Sequence, residues 1–299
     1  MDKTELFLQI DEALPDLNPS TRKTYRSLLV NHYLKHRRGE CTDILEFYGT
    51  PEVCIESLRV RPLNTQATIL AAAFSLTKLS AYHAQMHSIS GTIKENYKDQ
   101  DMTEKRKEVV LTKKEVEAIY RAYVEKYAES PTARNATDLL ITGLMSGVFP
   151  ELPPRRLMEY TELKTTPPPP LARGAPRPMF NYLVEGPRGR ILMVLFRHKT
   201  SKGGKNASLL PIPKGLAALV RKMSREGREF LLLNDLGEKF TSASLHARLM
   251  SIYGFGVDML RSIFLSDMHK DTPSLRRMEK VARDMGNSVN AQVMCYVKN

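Results

Sequence analysis

Residues 257–299 read VDMLRSIFLSDMHKDTPSLRRMEKVARDMGNSVNAQVMCYVKN. Apolar residues recur at helical spacing in the first part of this stretch, at Met259, Leu260, Ile263, Phe264 and Met268. That periodicity predicts a helix with one face packed against a core. Arg261 therefore lies on a packed helix rather than in a loose tail.

A second helix is predicted over residues 275–285. Its apolar residues form one stripe, while most of its basic residues fall off that stripe: Arg276, Arg277, Lys280 and Arg283. Gly286 follows the last apolar position, as expected of a residue that ends a helix. A short final segment then carries Tyr296, nine residues after Asn287.

The order of these motifs resembles that of the tyrosine recombinase (phage integrase) family. The family consensus runs His-x-Leu-Arg, then Leu-Gly-His-Ser, then a nucleophilic tyrosine nine residues past the second histidine. Asp258-Met-Leu-Arg261 and Met285-Gly-Asn287-Ser fill the two motifs here, and the step to Tyr296 is kept. Both histidine positions depart from the consensus, since they hold Asp258 and Asn287.

The resemblance implies two further catalytic groups. Pro153-Pro-Arg155-Arg156 occupies the place of the first family arginine. Arg156 has Glu159 three positions on, as in the family, and Arg155 is the alternative. This Pro-Pro-Arg-Arg form looks like that of the integrase-like proteins of large eukaryotic DNA viruses, which would make viral genome integration the role.

The second implied group is a lysine delivered by a β-hairpin. Lys199, in His-Lys-Thr-Ser-Lys, matches its position, and Lys202 is the alternative. Strands are predicted over Asn181–Val184, Arg190–Phe196 and Ser208–Ile212, with Gly186–Gly189 joining the first two. The proline-rich stretch Thr165–Pro178 is predicted to be an extended loop.

The chemistry of such a site follows from its residue types. A tyrosine hydroxyl can attack phosphorus and conserve the bond energy in a 3′-phosphotyrosine, as in type IB topoisomerases. Arg261, with Arg156 or Arg155, would stabilise the charged transition state, and Lys199 would protonate the leaving 5′ oxygen. Asp258 could accept the proton of Tyr296, and Asn287 could donate a hydrogen bond to a phosphate oxygen.

The first hundred residues are expected to form a helical, basic module. A helix is predicted to begin at Asn18-Pro19. Another is predicted over Ala67–Tyr82, largely apolar and buried. The pattern is similar to the SAM-like core-binding domain of the family. The residues expected to contact DNA, here and in the second domain, are Arg22, Lys23, Arg26, Lys202, Arg276 and Arg277.

The resulting fold prediction is mostly α with a small antiparallel β-sheet, in a two-domain recombinase architecture. Residues 1–100 form the SAM-like DNA-binding domain, residues 101–111 the polar linker, and residues 112–299 an α+β catalytic domain. Thr112-Lys-Lys-Glu115 is a capping box that opens the second domain. An apolar helix is predicted from Ala136 to Leu144, broken at Gly147.

Composition narrows the class of partner. Lys and Arg number 45 against 33 Asp and Glu, for a net charge of +12, which favours a polyanion such as double-stranded DNA. Three scattered cysteines and no zinc-spaced Cys/His cluster predict no metal, no cofactor and a reducing compartment. No secretory signal or membrane span is expected, so the protein should act inside a cell, in a host nucleus or cytoplasm if viral.

Two hypotheses of different class follow. The first is a site-specific recombinase or integrase that acts as a homo-oligomer, dimer or tetramer, on DNA. The second is a catalytically silent DNA-binding or architectural protein that keeps the recombinase fold, because both histidine positions are changed.

Overall fold

The computed structural model describes residues 2–36, 43–98, 111–168, 178–198, 207–271 and 273–297. The chain divides into two compact units, Met1–Asp99 and Gln100–Asn299. It is mostly helical, with one small mixed sheet. No described helix is both long enough and apolar enough to cross a membrane.

The described part of the first unit is helical throughout. Its helices are α1 Lys3–Ala13, α2 Pro19–His36, α3 Ile44–Gly49, α4 Pro51–Leu58, α5 Leu63–Thr77 and α6 Ser80–Lys98. The start of α2 confirms the prediction, because Asn18 Oδ1 accepts a hydrogen bond from Thr21 N at 2.9 Å and Pro19 opens the helix. The apolar faces meet in one core that includes Leu29, Tyr33 and Leu70.

The single helix predicted over Ala67–Tyr82 is wrong, because the chain breaks inside that range. Lys78 adopts a left-handed conformation (φ +60°) and its N–H donates to Phe74 O at 2.8 Å, which ends α5. A new helix begins at Ser80. Neither glycine nor proline marks this break, and the apolar periodicity continues across it.

The described helices of the second unit, apart from the last two, share one hydrophobic core with the sheet. They are α7 Lys113–Glu129, α8 Ala133–Met145, α9 Leu157–Thr161, α10 Lys214–Arg225, α11 Ser242–Tyr253, α12 Val257–His269, α13 Leu275–Met285 and the short α14 Val289–Ala291. The capping box predicted for α7 is present: Glu115 accepts from Thr112 N and Thr112 Oγ1 accepts from Glu115 N. Helix α8 is buried from Asn135 to Met145, as its apolar sequence predicts.

The sheet has four strands in the order β1 Leu163–Lys164, β2 Asn181–Glu185, β3 Ile191–Leu195 and β4 Ser208–Pro211. The β2–β3 and β3–β4 pairs are antiparallel, as predicted, and Glu185 pairs with Ile191 across the predicted turn. The β1–β2 pair is parallel, so the prediction of an antiparallel sheet is wrong. A two-residue strand is too short to leave an alternating apolar pattern in the sequence.

Some predictions fall outside the described residues. They are nearly all of the linker 101–111, most of the loop Thr165–Pro178, and both hairpin lysines, Lys199 and Lys202.

Candidate active site

Arg261 lies at the centre of the candidate site. Helix α12 packs Leu260, Ile263 and Phe264 into the unit, and Arg261 is buried with them at 0% exposure. The guanidinium carbon lies 4.5 Å from the centroid of the Tyr296 ring. The two motifs joined only by their spacing in the sequence therefore meet in space.

Tyr296 is held there by the last described segment of the chain. Ser288 caps α14 by accepting from Ala291 N at 3.1 Å, and the backbone then widens into a π turn over Gln292–Tyr296. Val297 N donates to Gln292 O at 3.0 Å and closes that turn. The half-buried tyrosine packs against an apolar cluster contributed by α12 and α13: Phe264, Leu265, Met268, Val281 and Met285.

Asn287 touches Arg261 directly. Helix α13 ends at Gly286, whose φ of +65° is a conformation that glycine adopts without strain. With the Asn287 amide nitrogen donating to Ala282 O at 3.1 Å, its amide oxygen accepts from Arg261 Nη2 at 3.2 Å. The residue at the second family-histidine position thus orients the central arginine.

Arg155 and Arg156 both donate hydrogen bonds to backbone carbonyls at the end of α13. Arg156 Nη1 donates to Gly286 O at 3.0 Å. Arg155 is fully buried, forms an ion pair with Glu159, and donates to Asp284 O. Arg156 is the half-buried member of the pair. Arg155 is therefore part of the packed interior, while Arg156 is partly accessible to solvent.

The buried charges of the site lack enough partners within the chain. Among the described residues, Arg261 Nε and Nη1 and Arg155 Nη2 have no hydrogen-bond acceptor. Burial lowers the pKa of Arg261 from its ordinary value, and the charge of Arg156 lowers it further. Unpaired N–H groups at a buried cation are costly, and an anion bound between them would satisfy them.

Gly147 lies where the segment of Arg155 and Arg156 packs against the helix of Arg261. It has a φ of +75°, and a Cβ at this position would lie 2.6 Å from Phe264 Cδ2 and 2.9 Å from Pro154 Cδ. Phe264 belongs to the helix of Arg261, and Pro154 precedes the arginine pair. The close approach that only glycine permits therefore fixes the distance between the two arginine-bearing segments.

The remaining predicted residues are distributed as follows. Asp258 is exposed in the first turn of α12, close enough to Arg261 to act on its charge. Arg276 and Arg277 are exposed on the first turn of α13. In the first unit, Lys23 is exposed and Arg22 half-buried. Arg26 forms an ion pair with Asp11 and covers the Phe7 ring at 4.7 Å, so its charge is already partnered.

Sequence reasoning missed the roles of Gly147 and of the backbone carbonyls at Asp284 and Gly286. The sequence predicts only that this glycine breaks a helix, and carbonyl groups leave no signature in a sequence. No group of three or more His, Cys, Asp or Glu side chains within the described ranges is arranged to hold a metal ion.

The chain matches no protein-family model and no curated protein. It is similar to a solved structure described as the crystal structure of XerA recombinase. The identity is 12%, the TM-score is 0.40, and the alignment covers 100% of this chain and 95% of that one. At that TM-score the similarity assigns neither fold nor activity, so the chemistry has to come from the residues of the site.

Proposed function

We propose that the protein is a tyrosine recombinase that cuts and rejoins double-stranded DNA through a 3′-phosphotyrosine intermediate. The observation that carries the proposal is the position of Arg261. It is a fully buried guanidinium with two unpaired nitrogens, 4.5 Å from the ring of a tyrosine near the C-terminus. A DNA phosphate is an anion whose oxygens can accept charge-assisted hydrogen bonds from such donors.

The reaction is a transesterification at phosphorus. The Tyr296 oxygen attacks, the bond from phosphorus to the 5′ oxygen breaks, and the phosphodiester energy is kept in the new ester. Negative charge gathers on the non-bridging oxygens, where Arg261 and Arg156 supply fixed positive charge. Arg155 acts through its bonds to Glu159 and Asp284 O, which hold the turn carrying Asn287.

The proton transfers are assigned to the remaining predicted residues. Lys199, or Lys202 as its alternative, protonates the leaving 5′ oxygen. Asp258 accepts the proton of Tyr296, and Asn287 positions Arg261 without carrying charge. In the reverse direction a 5′ hydroxyl attacks the phosphotyrosine, and the same groups exchange their proton roles.

DNA binding is proposed to involve both units. The net charge of +12 and the exposed Lys23, Arg276 and Arg277 favour contacts with phosphates. Arg22 and Arg26 lie on the same helix as Lys23, and Arg26 would have to leave Asp11 to contact DNA. Strand exchange between two duplexes requires more than one active site, so a dimer or tetramer on DNA is part of the proposal. A viral integrase is the specific form that the Pro-Pro-Arg-Arg motif favours.

A nicked suicide duplex tests the chemistry. Cleavage near the nick releases a short fragment that cannot religate, so a covalent protein–DNA adduct accumulates and is visible on a denaturing gel. We expect an adduct with the natural chain and none with Tyr296→Phe. Tyr127→Phe is the matched control, because Tyr127 is also half-buried but lies on α7, and its hydroxyl bonds to Lys222 at 3.3 Å.

The second candidate is a DNA-binding protein without strand-transfer activity. Asp258 favours it, because a carboxylate close to Arg261 adds negative charge where a phosphate would bind. Binding of duplex DNA with no adduct from the natural chain would select this candidate. An adduct that survives in Tyr296→Phe would exclude Tyr296 as the nucleophile.

A further inference from the structure

His83 and His87 lie one helical turn apart on α6, in the first unit and outside the candidate active site. Both side chains are exposed. Their ring centroids are 4.4 Å apart, and the two Nε2 atoms face each other at 3.1 Å. The ring of Phe74 on α5 packs beside His83 at 5.1 Å and restricts its orientation. Two nitrogens with lone pairs are therefore held together at the protein surface.

We propose that His83 and His87 form a binding site for a divalent transition metal of the zinc, nickel and copper class. Imidazole nitrogen is a preferred ligand of these metals. With metal–nitrogen bonds of about 2.0–2.1 Å, two nitrogens 3.1 Å apart subtend an angle of about 100° at the metal. That angle lies between the octahedral and the tetrahedral values, so the nitrogen–nitrogen distance suits chelation once both rings turn their lone pairs toward the metal.

The exchange of hydrogen bond for metal is balanced. In the metal-free pair one Nε2–H donates to the other Nε2, so the donating ring is the Nε2–H tautomer. Metal binding moves that proton to Nδ1 of the same ring, and both Nε2 lone pairs then bind the metal. No proton is lost when both rings are neutral.

The remaining coordination positions face solvent. The next turn of the same face carries Ser90 and Gly91, which offer no carboxylate. Since no group of three or more His, Cys, Asp or Glu in the described part of the chain forms a metal site, the pair supplies two protein ligands and water supplies the others. Such a chelate links residues one turn apart and stabilises α6.

A second histidine pair in the same unit has the same spacing but cannot bind a metal. His32 and His36 on α2 have the same spacing, with ring centroids 4.9 Å apart. His32 is buried, and its two ring nitrogens already bond to Tyr48 OH and Ser57 Oγ, each at 3.0 Å. No nitrogen of His32 is left for a metal, so spacing alone does not make the site.

Calorimetric titration of the untagged, metal-free chain with NiCl2 at neutral pH tests the proposal. We expect one Ni²⁺ per chain, at least tenfold weaker binding in His83→Gln and in His87→Gln, and unchanged binding in His36→Gln. Affinity should rise from Zn²⁺ through Ni²⁺ to Cu²⁺, and Mg²⁺ should not bind. Because both histidines are exposed, His83→Gln and His87→Gln should fold like the natural chain, which circular dichroism checks.

A second readout identifies the ligands. The electron paramagnetic resonance spectrum of bound Cu²⁺ should show coupling to two nitrogens, and to one fewer in either single variant. Amide hydrogen exchange along α6 should slow on metal addition, because the chelate resists local opening. Absence of binding to the natural chain, or an affinity in both single variants equal to that of the natural chain, would overturn the proposal.

Discussion

Two buried polar clusters, one in each unit, differ in how completely their groups are hydrogen-bonded. In the first unit, both nitrogens of His32 have partners, Tyr48 OH bonds to Leu29 O at 2.9 Å, and Tyr82 OH donates to Tyr48 O at 2.8 Å. In the second unit, Arg261 is equally buried but keeps two nitrogens unpaired among the described residues. The first cluster is complete without a ligand, and the second is not.

The difference separates stability from function. A satisfied buried network stabilises one packing arrangement, and removing a member leaves another group without a partner. A buried cation with unpaired donors destabilises the empty protein and becomes favourable only when an anion arrives. Substitutions should therefore have opposite consequences in the two clusters.

The largest expected effect is on activity, in Arg261→Met. Removing a positive charge that faces the transition state should lower the rate of adduct formation by about 10³-fold or more. Because the lost group is an incompletely paired buried cation, the free energy of unfolding should stay the same or rise. Duplex affinity should change little, since one phosphate contact among many is lost.

Arg276→Met is the control for this variant. Arg276 is exposed, and it follows a leucine in Ser274-Leu-Arg276 as Arg261 does in Met259-Leu-Arg261. Near-normal cleavage by Arg261→Met would move the catalytic assignment to another arginine. A clear loss of stability would show that Arg261 is already partnered in the free protein.

The next effect is on stability, in Arg248→Met. Arg248 donates two hydrogen bonds of 2.7 Å to Asp138, whose side chain is 3% exposed. Removing the guanidinium leaves that carboxylate buried and unpaired, which should lower the free energy of unfolding by about 3 kcal/mol. Urea unfolding followed by circular dichroism measures it.

Arg59→Met is the matched control, because its partner Glu56 and Arg59 itself are both exposed and such pairs contribute little. If the two variants lose stability equally, the burial of the Asp138 pair is not what makes it matter. The three variants compare three kinds of guanidinium. Arg248 is paired with a buried carboxylate, Arg261 is buried and incompletely paired, and Arg59 is exposed and paired.

The smallest effect is the pH dependence of the first cluster. Burial, with the charges of His36 and Arg61, lowers the pKa of His32 to about 4. The unfolded chain takes up a proton near the ordinary value of 6.5, so the stabilisation is present above that pH. It is lost progressively as the pH falls from about 6.5 toward 4.

Unfolding of the natural chain and of His32→Gln between pH 7 and pH 4 isolates this contribution from that of the carboxylates. The glutamine can keep hydrogen bonds to Tyr48 and Ser57 but does not titrate, so its stability should fall less on acidification. His83→Gln should follow the natural chain. Parallel curves for His32→Gln and the natural chain would contradict the assignment.

Much of the local structure was predictable because its causes are short-range. The capping box at Thr112–Glu115, the start of α2 at Pro19 and the end of α13 at Gly286 each depend on residues within one turn of one another. The break at Lys78 and the parallel strand β1 were missed. Packing against distant residues sets these two conformations, so the adjacent sequence does not predict them.

The sequence predicted which residues of the candidate site lie near one another, but not the geometry in which they meet. The spacing of Arg261, Asn287 and Tyr296 in the sequence places them near one another, and the structure brings them into contact. The division of labour between Arg155 and Arg156 depends on carbonyl groups 129 and 130 residues further along the chain. No local pattern carries information over that distance.

Gly147 is not one of the proposed reacting residues, yet its lack of a side chain leaves the space in which Phe264 and Pro154 lie close to it. If the protein is the recombinase proposed above, a genetic screen for loss of recombination would therefore recover substitutions at this position beside those of Tyr296 and the arginines. Such alleles would resemble substitutions of the active-site residues themselves. Their defect would instead be a changed spacing between two segments of the chain. A list of catalytic residues does not include that requirement.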